Sequence, residues 1–579
     1  MVTIAIDAAA QQHPIDPRIY GANICNVYPA NGVLGTAEIS ALLRDANIPF
    51  NRYGGELGSR YNWSANAWNL LRGGYFRSTR ATFSNDPGRF ADDWIVASRA
   101  GGAEPSVTIP MIGWAARLNA DFSDTVSYSV AKYGPQKEHD PNDSNAGNGL
   151  HTDGSPVDND PQDAHIRVDN DHQRRWLEHL HTTFAGEPAG DVRYFTLDNE
   201  PGLWQHAHPD IRRDRPAAMA EVAALITAYS DTIKDAFPDA VVLGPEENGW
   251  FALFYSGLDK AHFDAKAPGP PPDRTANGDN LRFVLAHVRR HHEETGRRLL
   301  DVVTVHYYPN GEESAPEVVS RDEFHNRGDN PKAPTYLDYV LPETQRLRNR
   351  STRSLWDPTY TDVSWIGRAG PDGGVVRLIP RLKQWVAEAY AGAGPDLAPP
   401  AIGITEYSWG AEDHMNGATA QADVLGIFGR EGLDLANYFP VNIFDPLPHT
   451  LGNAFRMYRN YDGLGSTFGE TSVLATAPEP DEVSAFASRR ADGALTVMVV
   501  NKALFDPAAP ETQQAITVEL EGFVHAGSAK HWLLAAILPA DQTATTITGP
   551  TTIPIDAANV LTVSVPMQSV SLFVVAPAE

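Results

Sequence analysis

Eight short, almost continuously apolar segments alternate with helical ones along most of this chain. The apolar segments are IYGAN (19–23), PFNRYGG (49–55), SVTIPMIG (106–113), VRYFTLDNE (192–200), AVVLGPEE (240–247), DVVTVHYYP (301–309), AIGITEYSW (401–409) and ANYFPVNIF (436–444). Runs of this kind, without polar alternation, suit strands buried on both faces of a parallel sheet. Helical periodicity fills the gaps at 36–46, 171–184, 216–237, 280–295, 378–392 and 419–432. Eight strands alternating with helices predict an α/β fold, a (β/α)8 TIM barrel. The links from helix to strand are short, whereas two links from strand to helix, 114–170 and 309–376, are long. Strand-to-helix links all lie on one face of such a barrel, the face where barrel enzymes carry their chemistry.

After about residue 455 the period changes. Segments such as ALTVMVVNK, QAITVELEG and SVSLFVVAP alternate apolar and polar residues between turn signals, which predicts a C-terminal antiparallel β-sandwich. The opening VTIAIDAA (2–9) has the same texture and is expected to join it. The expected division is residues 1–12 as strand joining the sandwich, 13–454 as catalytic barrel and 455–579 as sandwich. A length of 579 residues agrees with more than one core.

The formal net charge is −27, with no basic patch, which opposes binding to nucleic acid or to an anionic membrane surface. No apolar run approaches the roughly 20 residues of a membrane helix. The one cysteine, Cys25, excludes an intrachain disulfide and a cysteine-rich zinc site. Phosphate-loop, nucleophile-elbow and dinucleotide fingerprints are absent from the sequence. A neutral carbohydrate carries no penalty against such a surface.

The fourth strand ends in LDNEPGLW (197–204) and the seventh in ITEYSWG (404–410). Glycosidic cleavage needs two carboxyl groups, one to protonate the departing oxygen and one to attack or to activate water. Glu200 and Glu406 stand at the ends of strands that lie nearly opposite in an eight-stranded ring. A separation of about 5–5.5 Å gives retention and about 6.5–9.5 Å gives inversion, and the sequence leaves that choice open. Glu56, Asp198, Glu246 and Glu247 are further carboxylates near strand ends.

The segments NRYGGELGSRYNW (51–63), VAKYGPQ (130–136), SNAGNG (144–149), NDPQD (159–163), YFTLDNEPGLWQHAHP (194–209), GPEENGW (244–250), DVVTVHYYP and ITEYSWG together resemble glycoside hydrolase family 44, the endoglucanases and xyloglucanases, within the clan A retaining glycosidases. The resemblance implies that Glu200 is the general acid/base and Glu406 the nucleophile. An ionised Glu406 needs donors, for which Arg52 at the end of the second strand is the natural cation and Tyr308 at the end of the sixth a natural hydroxyl donor, while Asn199 is placed to hold a sugar 2-hydroxyl. Glu56 departs from the pattern, since an uncharged polar residue is expected after Gly54-Gly55.

Twelve tryptophans invite a sugar-stacking role. Trp63, Trp204 and Trp409 flank the active-face motifs and are expected as platforms, while Trp68, Trp114, Trp250 and Trp365 fall in other loops. His306 shares a strand face with Tyr308 and joins the expected substrate-binding set. Eight aspartates lie between 140 and 171, and Asp158, Asp160 and Asp163 form the tightest set for a possible structural Ca²⁺. His206, His208, His287 and His291 are weaker metal candidates without a zincin context.

The function expected is a retaining endo-β-1,4-glucanase acting on plant cell-wall β-glucan, such as xyloglucan or carboxymethyl cellulose-like chains. It needs no cofactor for its chemistry. Two other readings stay open: an exo-acting or hemicellulose-specific relative (xylanase, arabinofuranosidase), and a non-catalytic polysaccharide-binding protein. A monomer is expected. So is secretion, because a polymer cannot enter the cell, although MVTIAIDAAAQQHP carries no basic segment followed by an apolar one.

Overall fold

The computed structural model describes residues 2–24, 35–309, 340–439 and 449–578, apart from 363, 371, 396, 507 and 509–511. Cys25 and the last residues of the eighth expected strand, 440–444, lie outside the described residues, as does the side chain of Trp365.

All eight expected strands enter one closed parallel barrel. In ring order they are Gly21–Ala22, Phe50–Tyr53, Glu104–Ile109, Tyr194–Leu197, Val241–Glu247, Val302–Tyr307, Ala401–Tyr407 and Leu435–Tyr438, the last pairing back onto the first through Asn437 and Gly21. They are called the first to eighth strands below. The barrel floor is a closed apolar layer of Phe50, Tyr194, Leu243, Val302 and Leu435, with Phe50 and Tyr194 edge to face at 5.1 Å. Two residues further along, the inward positions turn polar with Arg52, Thr196 and Thr304. Polar groups buried at that level need partners, so the sequence there is set by hydrogen bonding rather than by packing.

Among the described residues, three helices of ten or more residues lie outside the expected helical segments. Arg89–Ala100 buries Phe90, Ala91, Trp94 and Ile95, Pro342–Ser351 lies within the long link after the sixth strand, and His449–Arg459 follows the eighth strand. The expected boundary at 455 falls inside the last of these. Leu451, Ala454, Phe455, Met457 and Tyr458 are all buried there, a helical spacing that carries barrel character past the expected limit.

Beyond it, the C-terminal strands form a curled sheet around a second core of Ile4, Ile6, Val473, Val497, Ile516, Val518, Leu561 and Phe573. The N-terminal strand Val2–Asp7 does join this sheet. It pairs antiparallel with Thr471–Thr476 and parallel with Gln513–Glu521, so the layer is mixed at this one seam. Helix Met415–Glu431 runs between barrel and sandwich and is buried on every side from Met415 to Gly429. Its small residues make this possible: a Cβ on Gly426 would lie 2.2 Å from the Phe486 ring. A helix covered all round has no solvated polar face, and its buried polar residues find partners, Asn416 in Arg348 and Asn349, Gln421 in Tyr407, and Asp423 in Thr352 and Lys502.

Among the described residues no helix is long and apolar enough to cross a membrane.

Candidate active site

The polar residues above the barrel floor meet at its C-terminal mouth. Three of the acids there sit in left-handed backbone conformations: Asp198 (φ +55°), Glu200 (φ +41°) and Glu246 (φ +59°). Such conformations are costly for non-glycine residues and persist where the surroundings hold them. Here the holding groups are visible. The Glu200 amide donates to the Glu246 carbonyl at 3.0 Å. The buried Asp198 carboxylate accepts from the amides of Met111, Ile112 and Asn199. Burial nonetheless pushes Asp198 up to about 6. The pairing register shifts next to Glu246 in the fifth strand and next to Glu406 in the seventh. Irregularities of this kind re-aim a side chain that strict alternation would send outward.

Arg52, fully buried at the end of the second strand, organises the centre. Its Nη1 donates to Glu406 Oε1 at 2.8 Å and to Asn23 Oδ1 at 3.2 Å. Its Nη2 lies 2.8 Å from Glu246 Oε2 and donates to Asn199 Oδ1 at 3.0 Å. The planar fork of arginine suits this double task as a lysine would not. Gly54 makes room for it, since a Cβ there would stand 2.2 Å from Arg52 Nη1.

His306 is the second cation. Its Nδ1 is 2.7 Å from Glu200 Oε1 and 3.4 Å from Glu406 Oε2, and its Nε2 is 3.2 Å from Glu246 Oε2. Burial opposes its charge, but Glu406, Glu200 and Glu246 outweigh burial and raise it to about 10, so the ring is an imidazolium at neutral pH. Burial likewise works against charge on Glu246, yet Arg52 and His306 prevail and hold it below the usual carboxylate range. Thr304 also donates to Glu246, and Tyr308 OH donates to Glu406 Oε2 at 2.9 Å. One carboxylate oxygen of Glu200 and one of Glu406 lie within 4.8 Å of each other and of a His306 nitrogen. Two carboxyls at that spacing, one on each side of a cleft floor, can act from two sides on a single bond.

Of the residues singled out from sequence, the structure brings Glu200, Glu406, Arg52, Asn199, His306 and Tyr308 together. The three tryptophans require correction. Trp204 and Trp409 are 0% and 1% exposed, which leaves no ring face for a sugar. Trp204 instead donates its indole N–H to the Asn199 carbonyl at 2.9 Å, and Trp409 donates to Ser351 Oγ at 3.1 Å. Trp63 donates to the His172 carbonyl and rests against His172 and His179 of helix Asn170–Phe184, on the outside of the barrel. Large rings beside the motifs serve to pack the loops that carry the acids.

The aspartates expected for calcium do not fit an ion as placed. Both Asp163 oxygens accept from Lys132 Nζ, at 2.6 and 2.8 Å. Asp160 accepts from the Gln162 amide, and Asp158 is exposed. Among the described residues, three acid or histidine side chains converge within 4.8 Å only at Glu200, His306 and Glu406. His208 is wholly buried, with Nε2 2.9 Å from Glu56 Oε2. The partnership of Glu246 with Arg52 and His306 was not legible from sequence, where Glu246 was only one acid among several near strand ends.

A family model, Glycoside hydrolase family 44, matches residues 75–311, a stretch that holds Glu200, Glu246 and His306 and stops before Glu406. Endoglucanase A of Paenibacillus lautus is 30% identical over 517 residues, covering 87% of this chain and 64% of that protein. The chain thus spans less than two thirds of that relative. Among solved structures, CelM2, a bifunctional glucanase-xylanase protein from a metagenome library, is 40% identical with a TM-score of 0.85, covering 100% of this chain and 99% of that one. A Paenibacillus polymyxa xyloglucanase from the same family is 25% identical with a TM-score of 0.73, over 100% and 99% of the two chains.

Proposed function

The chain belongs to glycoside hydrolase family 44, and from that premise we propose that it is a retaining endo-β-1,4-glucanase acting on β-glucan backbones. The observation that supports the mechanism is that one carboxylate oxygen of Glu200 lies within 4.8 Å of one of Glu406. A water poised for direct attack needs about 6.5–9.5 Å between the carboxyls, so this spacing favours double displacement.

In the first step a Glu406 oxygen forms a bond to the anomeric carbon as the glycosidic C–O bond breaks, and Glu200 gives its proton to the departing oxygen. In the second step Glu200 takes a proton from water, whose oxygen displaces Glu406. Arg52 and Tyr308 aim the nucleophile by holding one oxygen each. The two cations, Arg52 and His306, match the charges of Glu246 and Glu406, and this leaves Glu200 as the group free to carry a proton in and out. As Glu200 ionises, His306 is already placed to donate to it. Arg52 occupies Asn199 Oδ1, so the Asn199 NH₂ is the donor turned to a sugar 2-hydroxyl, a contact that strengthens in the oxocarbenium-like transition state.

Xyloglucan and cellulose-like chains are the first substrates to test, on the strength of the xyloglucanase and endoglucanase relatives. The glucanase-xylanase relative makes xylan the natural second candidate. Secretion and a monomeric state accompany this reading. The test is reducing-end release and viscosity loss on xyloglucan, carboxymethyl cellulose, glucomannan and xylan, with Glu200→Gln and Glu406→Gln alongside. Rapid viscosity loss abolished in both variants is the expected result. Activity surviving either substitution contradicts the assignment, and release of single sugars without viscosity loss contradicts endo action.

A further inference from the structure

Two glutamates follow one another at the end of the fifth strand, and both hold the turn that carries Glu200. The buried Glu247 carboxylate accepts from the Gly202 amide at 3.3 Å and from Asn280 Nδ2 at 3.0 Å. Glu246 is the extra residue of a bulge, since pairing with the sixth strand passes from Pro245 opposite Thr304 to Glu247 opposite Val305. Its carbonyl accepts the Glu200 amide at 3.0 Å. Its carboxylate is 0% exposed. Thr304 Oγ1 donates to one oxygen, and the other lies 2.8 Å from Arg52 Nη2 and 3.2 Å from His306 Nε2.

The two cations lean on Glu246 unequally. Arg52 keeps Glu406 at 2.8 Å, Asn199 at 3.0 Å and Asn23 at 3.2 Å when Glu246 is set aside. His306 Nε2 has Glu246 as its one polar contact among the described residues. Its Nδ1 faces Glu200 Oε1 at 2.7 Å and Glu406 Oε2 at 3.4 Å. An ionised carboxylate only accepts, so Nε2–H donates to Glu246 and Nδ1–H is the donor left for Glu200. Which ring nitrogen carries a proton, and where the ring points, is set by the bond at the other nitrogen. The order Glu246, His306, Glu200 thus orients a reacting group through a histidine that a buried acid holds.

We infer that Glu246 is a positioning residue for the acid/base, holding the Glu200 backbone by its carbonyl and the Glu200 carboxyl through His306. This deepens the reading above and rests on Glu200 being the acid/base. His306 occupies Oε1 of Glu200, so the other oxygen is the one that passes its proton to the departing oxygen. Without the Glu246 carboxylate the ring is anchored at one nitrogen only, and Glu200 loses its alignment with the bond to be broken. Arg52 and Glu406 stay paired through their remaining contacts, so attack on the anomeric carbon is largely spared. The loss falls on proton transfer, which matters only for leaving groups that need a proton.

The experiment compares kcat/KM, which reports the first step, on two kinds of substrate. One is xyloglucan or carboxymethyl cellulose, and the other a dinitrophenyl β-cello-oligosaccharide, whose phenolate departs unprotonated. Wild type, Glu246→Gln, Glu246→Asp, His306→Gln and Glu200→Gln are measured side by side. Glu246→Gln is expected to lose about 10²-fold on the polymer and less than about 10-fold on the dinitrophenyl substrate. On the latter, kcat and KM should fall together, because the second step still needs Glu200 as base and the glycosyl-enzyme accumulates. Glu246→Asp should recover part of the loss, and Glu246→Gln should add little to His306→Gln. Equal losses on both substrates overturn the inference, since the effect would then lie on Arg52 and the nucleophile, and so does an unchanged polymer rate. Should Glu246→Gln fail to fold, NMR of the wild type with isotope-labelled histidine supplies a second readout. His306 should carry a proton on both ring nitrogens at neutral pH, and a ring with fewer overturns the inference. If Glu200→Gln loses equally on the two substrates, the acid/base assignment has failed. A Glu200→Gln loss that depends on the leaving group, beside a Glu246→Gln loss that does not, removes only the Glu246 link.

Discussion

Arg52 Nη1 lies 2.8 Å from Glu406 Oε1, a buried contact between the second and seventh barrel strands that joins residues 354 positions apart. The other nitrogen of the same fork reaches Glu246. Arg52→Lys keeps one charge and loses the fork, so Glu406 and Glu246 can no longer be held together. The expected outcome is a fall in kcat of about 10²–10³ with a folded protein. Arg52→Ala leaves two buried carboxylates without their cation and should cost about 3–5 kcal/mol of stability. Steady-state kinetics and urea unfolding check the two in turn, and a fully active lysine variant would show that the fork is dispensable.

Gly54 supports the same contact without touching Glu406. A Cβ there would meet Arg52 Nη1 at 2.2 Å and Cζ at 2.3 Å. Gly54→Ala should therefore displace the guanidinium and lower kcat on the order of 10² with little change in KM, the cost of misplacing a reacting group by about 1 Å. Kinetics on one β-glucan, with circular dichroism to confirm the fold, decides this. An unchanged kcat contradicts it.

Trp204 discriminates packing from sugar stacking. It is 0% exposed and donates to the carbonyl of Asn199, the neighbour of Glu200. Trp204→Phe keeps most of the ring and loses the N–H, so stability should fall by about 1 kcal/mol, with a lower kcat and an unaltered KM. Trp204→Ala should cost about 3–5 kcal/mol. A platform would show the opposite kinetic pattern, a raised KM at unchanged kcat.

Stability should decline as the solution becomes alkaline. His306 is raised to about 10, so between its unfolded value near 6.5 and 10 the folded state binds more proton than the unfolded state. Its contribution is complete below about 6.5 and is lost as pH rises through 10. Burial raises Glu247 to about 7 and Asp198 to about 6. For these acids too the folded state binds the extra proton, so they add the same downward slope between about pH 4 and 7. Buried His165, His414 and His531, lowered to about 4 by burial, oppose that slope below about pH 6.5. The test is therefore thermal unfolding from pH 7 to pH 9, which should show a falling midpoint and a shallower fall in His306→Gln. A flat or rising midpoint contradicts the assignment of His306 as a buried cation.

The barrel was legible because strands buried on both faces announce themselves as unbroken apolar runs, and the catalytic pair because each glutamate ends such a run. What stayed hidden was the burial and the exact partners of individual side chains. Trp204 and Trp409 adjoin the acids in sequence, and adjacency gives no measure of burial. Glu246 looked like one strand-end acid among several until the backbone irregularity beside it turned it toward Arg52 and His306. Asp163 looked like a calcium ligand because spacing counts oxygens and cannot see Lys132 arriving from thirty-one residues upstream. Helix His449–Arg459 was passed over because its apolar stripe runs straight up to the change of period that announces the sandwich.

The most direct test of the account is to trap the glycosyl-enzyme. A cello-oligosaccharide fluorinated at C2 with a good leaving group should form the first-step adduct and stall there, because the fluorine destabilises the oxocarbenium-like transition state of hydrolysis. Intact mass and peptide mapping then identify the labelled residue. The account predicts one glycosyl group per chain, on the peptide containing Glu406, with no adduct in Glu406→Gln. Label on any other carboxylate, or full turnover of a normal substrate by a protein that never accumulates the adduct, would contradict retention through Glu406.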